Sequence, residues 1–226
     1  MHIGRLMARL NPKNVRFDVG SGGIPELTPQ DIAAALGCVE DGIGREMLCQ
    51  VWWPDGARLT ESNLLEVLTT AQRMEWQRRE DEMLNAMLAV AQNGSRAQRA
   101  FAYAHENRWP GMVRMDHGLP HVNPHYASIR MAVLREISGT GLCPLCKGHT
   151  VIQSATGPIC VCPLCTGSGH QSVSDRSRAE ACGIDWKTYR QRWAGVYEWT
   201  ALLCLDSQRR ASHQMLRAIG GYNDPQ

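Results

Sequence analysis

A repeated tetrapeptide constrains this chain more than any other feature. Cys143-Pro-Leu-Cys146 runs into Lys147-Gly148, and Cys162-Pro-Leu-Cys165 runs into Thr166-Gly167. Two residues between cysteines let the backbone turn so that both sulfurs face one point. A zinc ion prefers four such thiolates in a tetrahedron. A glycine soon after the second cysteine lets backbone amides point at sulfur. Val151, Ile152 and Gln153 before Gly157-Pro158, with Ile159 and Val161 after, read as a hairpin joining the two knuckles. The expectation is one structural zinc ion on Cys143, Cys146, Cys162 and Cys165. A closed four-sulfur site leaves no open position for catalysis. Cys160 is out of register with the paired knuckle and is left out of the set; His149 is a spare candidate. Thiol exchange is the competing chemistry, but it needs one exposed pair at a helix N-terminus rather than two matched knuckles.

The cysteine count agrees with a metal site. There are nine cysteines, an odd number, and five of them lie between positions 143 and 165. A secreted disulfide scaffold is more often short, with an even count. The chain reads as cytosolic, with one metal knot and a few buried thiols. No apolar run is long enough to span a bilayer, and no signal-peptide core opens the chain. The 226 residues suffice for one large domain or two small ones. A net charge of +2 steers little, so a nucleic-acid binder of this kind must concentrate its basic residues locally.

Before the knuckles the pattern is helical. Residues 1–27 read as an irregular arm, with Gly20, Gly22, Gly23 and Pro25. Thr28, Pro29 and Asp31 start a helix by cap, fixed φ and dipole, with Ile32, Ala35 and Leu36 as its apolar stripe. A second short helix is expected from about Ile43 to Trp52, stopping before Pro54. Thr60 caps the clearest helix. Its apolar residues Leu64, Leu65, Leu68, Ala71, Met74, Met83, Leu84, Met87 and Leu88 recur at helical spacing. The cluster Arg78, Arg79, Glu80, Asp81, Glu82 reads as a solvated face. After Asn93-Gly94 another helix is expected from Ser95 to Asn107, with Ala97, Ala100, Phe101 and Ala104 inward. Residues 108–126 read as a loop. His117, His121 and His125 are spaced by four, but Pro110, Pro120 and Pro124 argue against a helix that would align them on a metal. Ser128 to Ile137 reads as a helix leading into the knuckles.

The segment after the knuckles reads as a helix-turn-helix. Ser174 caps a first helix, and Ala179 is small enough for a second helix to approach. Gly183 suits a left-handed turn. Ile184 plugs the angle, Asp185 caps the second helix, and Tyr189 and Trp193 form its inner face. Trp186, Lys187, Thr188, Arg190 and Gln191 are left outside, and the polar ones among them are types that reach base edges and phosphates in the major groove. Arg176, Arg178 and Arg192 add charge toward a DNA backbone. A plain helical hairpin with a charged surface is the alternative. In the tail, Val196, Leu202, Leu203, Leu205, Met215, Leu216 and Ile219 recur at helical spacing, and Cys182 and Cys204 read as core thiols.

The fold class is therefore mostly α: a helical protein with an inserted four-cysteine zinc-binding β-hairpin and a helix-turn-helix-like segment. Its expected segments are an arm over 1–27, a helical body over 28–137, a zinc module over 138–170, and a DNA-binding segment with a C-terminal helix over 171–226. No nucleophile elbow, phosphate loop or carboxylate pair points to an enzyme.

These pieces, in this order, resemble a family. Asn11-Pro12-Lys13, Leu27-Thr-Pro-Gln-Asp31-Ile-Ala-Ala-Ala-Leu-Gly37, Phe101-Ala-Tyr-Ala104, both knuckles, Arg178-Ala179, Trp186, Val196-Tyr197 and Cys204 are similar to lambda-type bacteriophage late-gene antitermination proteins Q. The resemblance implies a factor in the bacterial host cytoplasm that binds double-stranded DNA at a late promoter. Such a factor loads onto host RNA polymerase paused with its sigma factor. It then lets the enzyme read through terminators, with room for a host elongation factor and none for a membrane. The alternative is a zinc-containing repressor or activator acting only at its site.

Overall fold

The computed structural model describes residues 3–8, 10, 27–91, 94–104, 106–138, 143–146, 151–153, 159–165, 167, 169, 171 and 173–222. The protein is mostly helical, with two small antiparallel sheets. The helices are α1 (Ile3–Ala8), α2 (Pro29–Gly37), α3 (Ile43–Trp52), α4 (Glu61–Ala91), α5 (Arg96–Ala104), α6 (Pro124–Ser138), α7 (Asp175–Ala181), α8 (Trp186–Thr188) and α9 (Ala194–Tyr222). The strands are β1 (Val113–Asp116), β2 (Leu119–Val122), β3 (Val151–Gln153) and β4 (Ile159–Val161). Among the described residues no helix is long and apolar enough to cross a membrane.

The chain divides into two compact units rather than into consecutive segments. One comprises residues 1–64, 134–173 and 201–226, the other 65–133 and 174–200. Three of the four boundaries fall inside α4, α6 and α9, and the fourth lies just before α7. The expected cysteine module and the helical segment after it thus belong to different units.

The first unit has its core in Leu6, Met7, Ile32, Leu36, Leu48, Met215 and Ile219. Helix α1 lies in residues read as an irregular arm. Ile3, Leu6 and Met7 recur at helical spacing and are all buried, so packing fixes a turn-and-a-half too short to stand alone. The glycine-rich remainder of that arm, and Asn11-Pro12-Lys13, fall outside the described residues. Helix α2 opens with a reciprocal cap: Thr28 Oγ1 accepts from Asp31 N at 3.2 Å, and Thr28 N donates to the Asp31 carboxylate at 2.8 Å. The Thr28 hydroxyl, donating to the Asp31 carboxylate at 2.7 Å, and then the Thr28 amide hold that carboxyl below its ordinary range. Helix α3 lies so close to α9 that a Cβ on Gly44 would meet the Ser207 carbonyl oxygen at 2.2 Å. Glu46, buried, accepts from Arg45 at 2.9 Å and from the backbone amides of Arg58 and Leu59 at 2.9 and 3.0 Å, which ties down the chain after α3.

The second unit corrects several expectations. Met74, Leu84, Met87 and Leu88 of α4 are exposed, Met74 to 68%. Leu68, one of the expected apolar residues, is buried, and from it the inward stripe continues through Gln72 and Ala86, both buried, with Glu75 and Arg79 half-buried between them. Polar groups can occupy it because each has a partner. Gln72 donates to Thr200 Oγ1 at 2.8 Å and accepts from Arg130 at 2.7 Å. Arg79 bonds Glu75 at 2.8 Å and stands 4.5 Å over the Trp109 ring. Glu80 accepts from Asn107 at 2.6 Å. Arg79 and Glu80 are therefore turned to protein, not part of a solvated face. Helix α5, capped by Ser95, ends at Ala104 rather than Asn107; it buries no residue, and Phe101 is 54% exposed.

Residues read as a loop form a hairpin. β1 pairs β2 with Asp116 opposite Leu119, and the two-residue turn is His117 (φ 49°) and Gly118 (φ 81°). Two positive φ values match the twist of the flanking strands. Pro120 is tolerated because a two-stranded ribbon is all edge. His117, His121 and His125 sit in the turn, on β2 and at the start of α6, and among the described residues they form no metal-ligating group. His125 instead stacks edge-on against Trp193 at 5.2 Å. Helix α6 starts at Pro124, earlier than expected, because Asn123 Oδ1 accepts from His125 N at 3.3 Å and caps it.

Candidate functional site

Four cysteine sulfurs converge in the first unit. Those of Cys143, Cys146, Cys162 and Cys165 all lie within 4.8 Å of one another, and all four residues are buried. The sulfurs of Cys143 and Cys162 are 3.8 Å apart, and those of Cys146 and Cys165 3.6 Å. A disulfide would require about 2.05 Å. Four thiolates about 2.3 Å from a tetrahedral ion stand about 3.8 Å from one another. The four could hold a metal ion.

Local structure explains the convergence. Each Cys-Pro-Leu-Cys segment makes a turn that presents its two sulfurs and leaves Leu145 and Leu164 exposed at the tips. Strands β3 and β4 pair Val151 with Val161 and Gln153 with Ile159, which brings the knuckles to one end of a hairpin. Ile152 packs against the sulfur cluster. Gly167 (φ 86°) and Gly169 (φ 77°) take the left-handed conformation, and Gly169 N donates to Cys165 Sγ at 3.4 Å. Cys143 N donates to Gly169 O at 2.9 Å and closes the module. Burial, the largest single influence on Cys165, favours its neutral thiol. The amides of Gly169 and Gly167 and the sulfurs of Cys146 and Cys162 together outweigh it and bring the thiol down to about 6. Cys160 is exposed and lies outside the cluster, with its Sγ 3.7 Å from Ile152 O. Gly148, His149 and Gly157-Pro158 lie outside the described residues.

The segment from Ser174 builds a second feature. Ser174 Oγ accepts from Ser177 N at 3.2 Å and starts α7. Gly183 takes φ 65°, and Ile184 N donates back to Ala179 O at 2.9 Å. Asp185 accepts from Thr188 N at 3.0 Å and starts α8. The helix then widens for one turn over Tyr189–Trp193, where Ala194 N reaches Tyr189 O. Such π-turns recur at functional sites. Ile184, Tyr189 and Trp193 are buried. Within its unit the segment is held by aromatic contacts: Tyr126 on Trp193 at 5.2 Å and Tyr189 on Tyr197 at 6.0 Å.

The expected DNA-facing residues separate into four groups. Trp186, Lys187, Arg190 and Gln191 come together around one surface hollow of about 530 Å³. Arg176 and Arg192 are exposed elsewhere on the segment. Thr188 is engaged in the cap, its Oγ1 donating to Asp185 at 3.2 Å. Arg178 turns inward, with its guanidinium 5.0 Å over the Tyr197 ring. The π-turn and the aromatic cluster of Trp109, Tyr126, Trp193 and Trp199 have no local sequence signal, because the cluster is assembled from distant segments. Comparison of the chain with protein-family models, with curated proteins and with solved structures finds no match.

Proposed function

We propose that this chain is a zinc-bearing, DNA-binding transcription antitermination factor. The observation that carries the reading is the row Trp186, Lys187, Arg190 and Gln191, exposed on a capped helix that follows a left-handed glycine. We read the segment as a helix-turn-helix, a reading supported by two capped helices, a glycine turn, a buried plug and an outward polar face. Lys187, Arg176 and Arg192 are placed to supply phosphate contacts that position the protein, and Gln191 and Arg190 are suited to base edges. Zinc is the ion we assign to the four cysteines, since buried thiolates at tetrahedral spacing are its preferred set. Its role is structural: all four positions are taken by protein.

The antitermination role rests on the resemblance to lambda-type Q proteins, with host RNA polymerase and its sigma factor as partners. Transcription in vitro tests it. The template carries the late promoter near this protein's own gene, followed by a strong terminator. Protein-dependent read-through, lost when promoter-proximal DNA is exchanged, is the expected result. Promoter occupancy without read-through would reduce the protein to a regulator acting only at its site.

A further inference from the structure

Of the seven tryptophans, Trp186 is the exposed one, at 41%; the others are buried or half-buried. An indole in that position contributes little to the core. It is nevertheless organised. The Arg190 guanidinium stands 6.0 Å over its ring, at the limit of a cation–π contact. Lys187 and Gln191 repeat the same spacing one residue further on, and the four together line the hollow. No carboxylate is among the lining residues.

Three demands define an occupant. The indole offers a flat π surface, the two cations call for negative charge, and the Gln191 carboxamide calls for a planar edge of donors and acceptors. An acidic peptide meets the second demand but not the first. A closed duplex offers phosphates and base edges, yet its base faces are covered by stacking. A nucleotide with an unstacked base meets all three: the face on the indole, the edge at the carboxamide, the phosphate on Lys187.

We propose that this hollow takes an unpaired nucleobase of a DNA strand, stacked on Trp186 between Arg190 and Lys187. The proposal rests on the DNA-binding reading of the same segment and narrows it to locally opened DNA.

Fluorescence anisotropy on the full-length protein tests it with three labelled probes. These are a fully paired duplex of arbitrary sequence, the same duplex with a run of mismatches at its centre, and an oligothymidylate. The mismatched duplex and the single strand are expected to bind about tenfold tighter than the closed duplex. Trp186→Ala should abolish that advantage, bringing the ratio of mismatched- to closed-duplex affinity to about one, while Trp186→Phe keeps most of it. Equal affinity for all three probes overturns the proposal and leaves the DNA reading standing. A preference that survives Trp186→Ala overturns the assignment of the hollow. Failure to bind any probe overturns both readings. Trp186 is exposed and outside the core, so circular dichroism should show the alanine variant folded.

Discussion

Four buried sulfurs within 4.8 Å of one another cannot all ionise without a cation, because like charges at that separation repel strongly in a poorly solvated site. The amides at Gly167 and Gly169 already favour thiolate at Cys165, so the cluster is prepared for a metal. Metal analysis of the purified protein should give one zinc per chain. Cys143→Ser and Cys162→Ser should each lose it, with faster proteolysis of residues 143–169; a full complement of zinc in either variant would refute the ligand set. For DNA, Arg190→Ala should weaken binding to the cognate site by about 1–3 kcal/mol if the guanidinium contacts a base. Unchanged affinity, measured by titration at fixed salt, would mean the wrong face was chosen. The convergence of the four cysteines was legible because knuckle spacing is a local constraint. The inward turn of Arg178 was not, since the ring it covers, Tyr197, lies nineteen residues further on.

Among the elements, capping chemistry was the most legible signal. Thr28 with Asp31, Thr60, Ser174 and Asp185 all cap helices, because a cap depends only on residues within one turn. Tertiary choices were not legible. The inner stripe of α4 contains Gln72 because Thr200 and Arg130 come to meet it, and nothing near Gln72 in sequence says so. The hairpin of β1 and β2 was hidden by Pro120 and by a turn whose first residue is histidine rather than the usual asparagine. The approach of α3 to α9 gives an element-scale prediction. Alanine in place of a helical glycine ordinarily gains about 1 kcal/mol in propensity. At Gly44 the added methyl would sit 2.2 Å from the Ser207 carbonyl oxygen, a backbone atom that cannot rotate away. Overpacking should win, and Gly44→Ala should destabilise the protein by about 1–3 kcal/mol. Thermal or urea unfolding measures this; an unchanged or raised midpoint would show that the two helices are not in such close approach.

Across the whole molecule, the nine thiols fall into classes that chemistry can count. Cys38 and Cys160 are exposed. Cys143, Cys146, Cys162 and Cys165 are buried in the cluster, and Cys49, Cys182 and Cys204 are buried elsewhere. Burial pushes the Cys49 thiol up to about 11 and the Cys204 thiol up to about 12, so both stay neutral at pH 7 and react slowly even where reagent penetrates. Titration of the native protein with an aromatic disulfide reagent should therefore consume two thiols rapidly. A zinc chelator should expose the cluster and release four more, and the last three should appear only on denaturation. The count also distinguishes a structural metal knot from a thiol-exchange module. A bound ion shields all four sulfurs as a set, so they should become reactive together, whereas an exchange pair must keep one sulfur open to attack. Rapid reaction of Cys143 or Cys146 before any chelator is added, alone among the four, would favour exchange chemistry and overturn the zinc assignment.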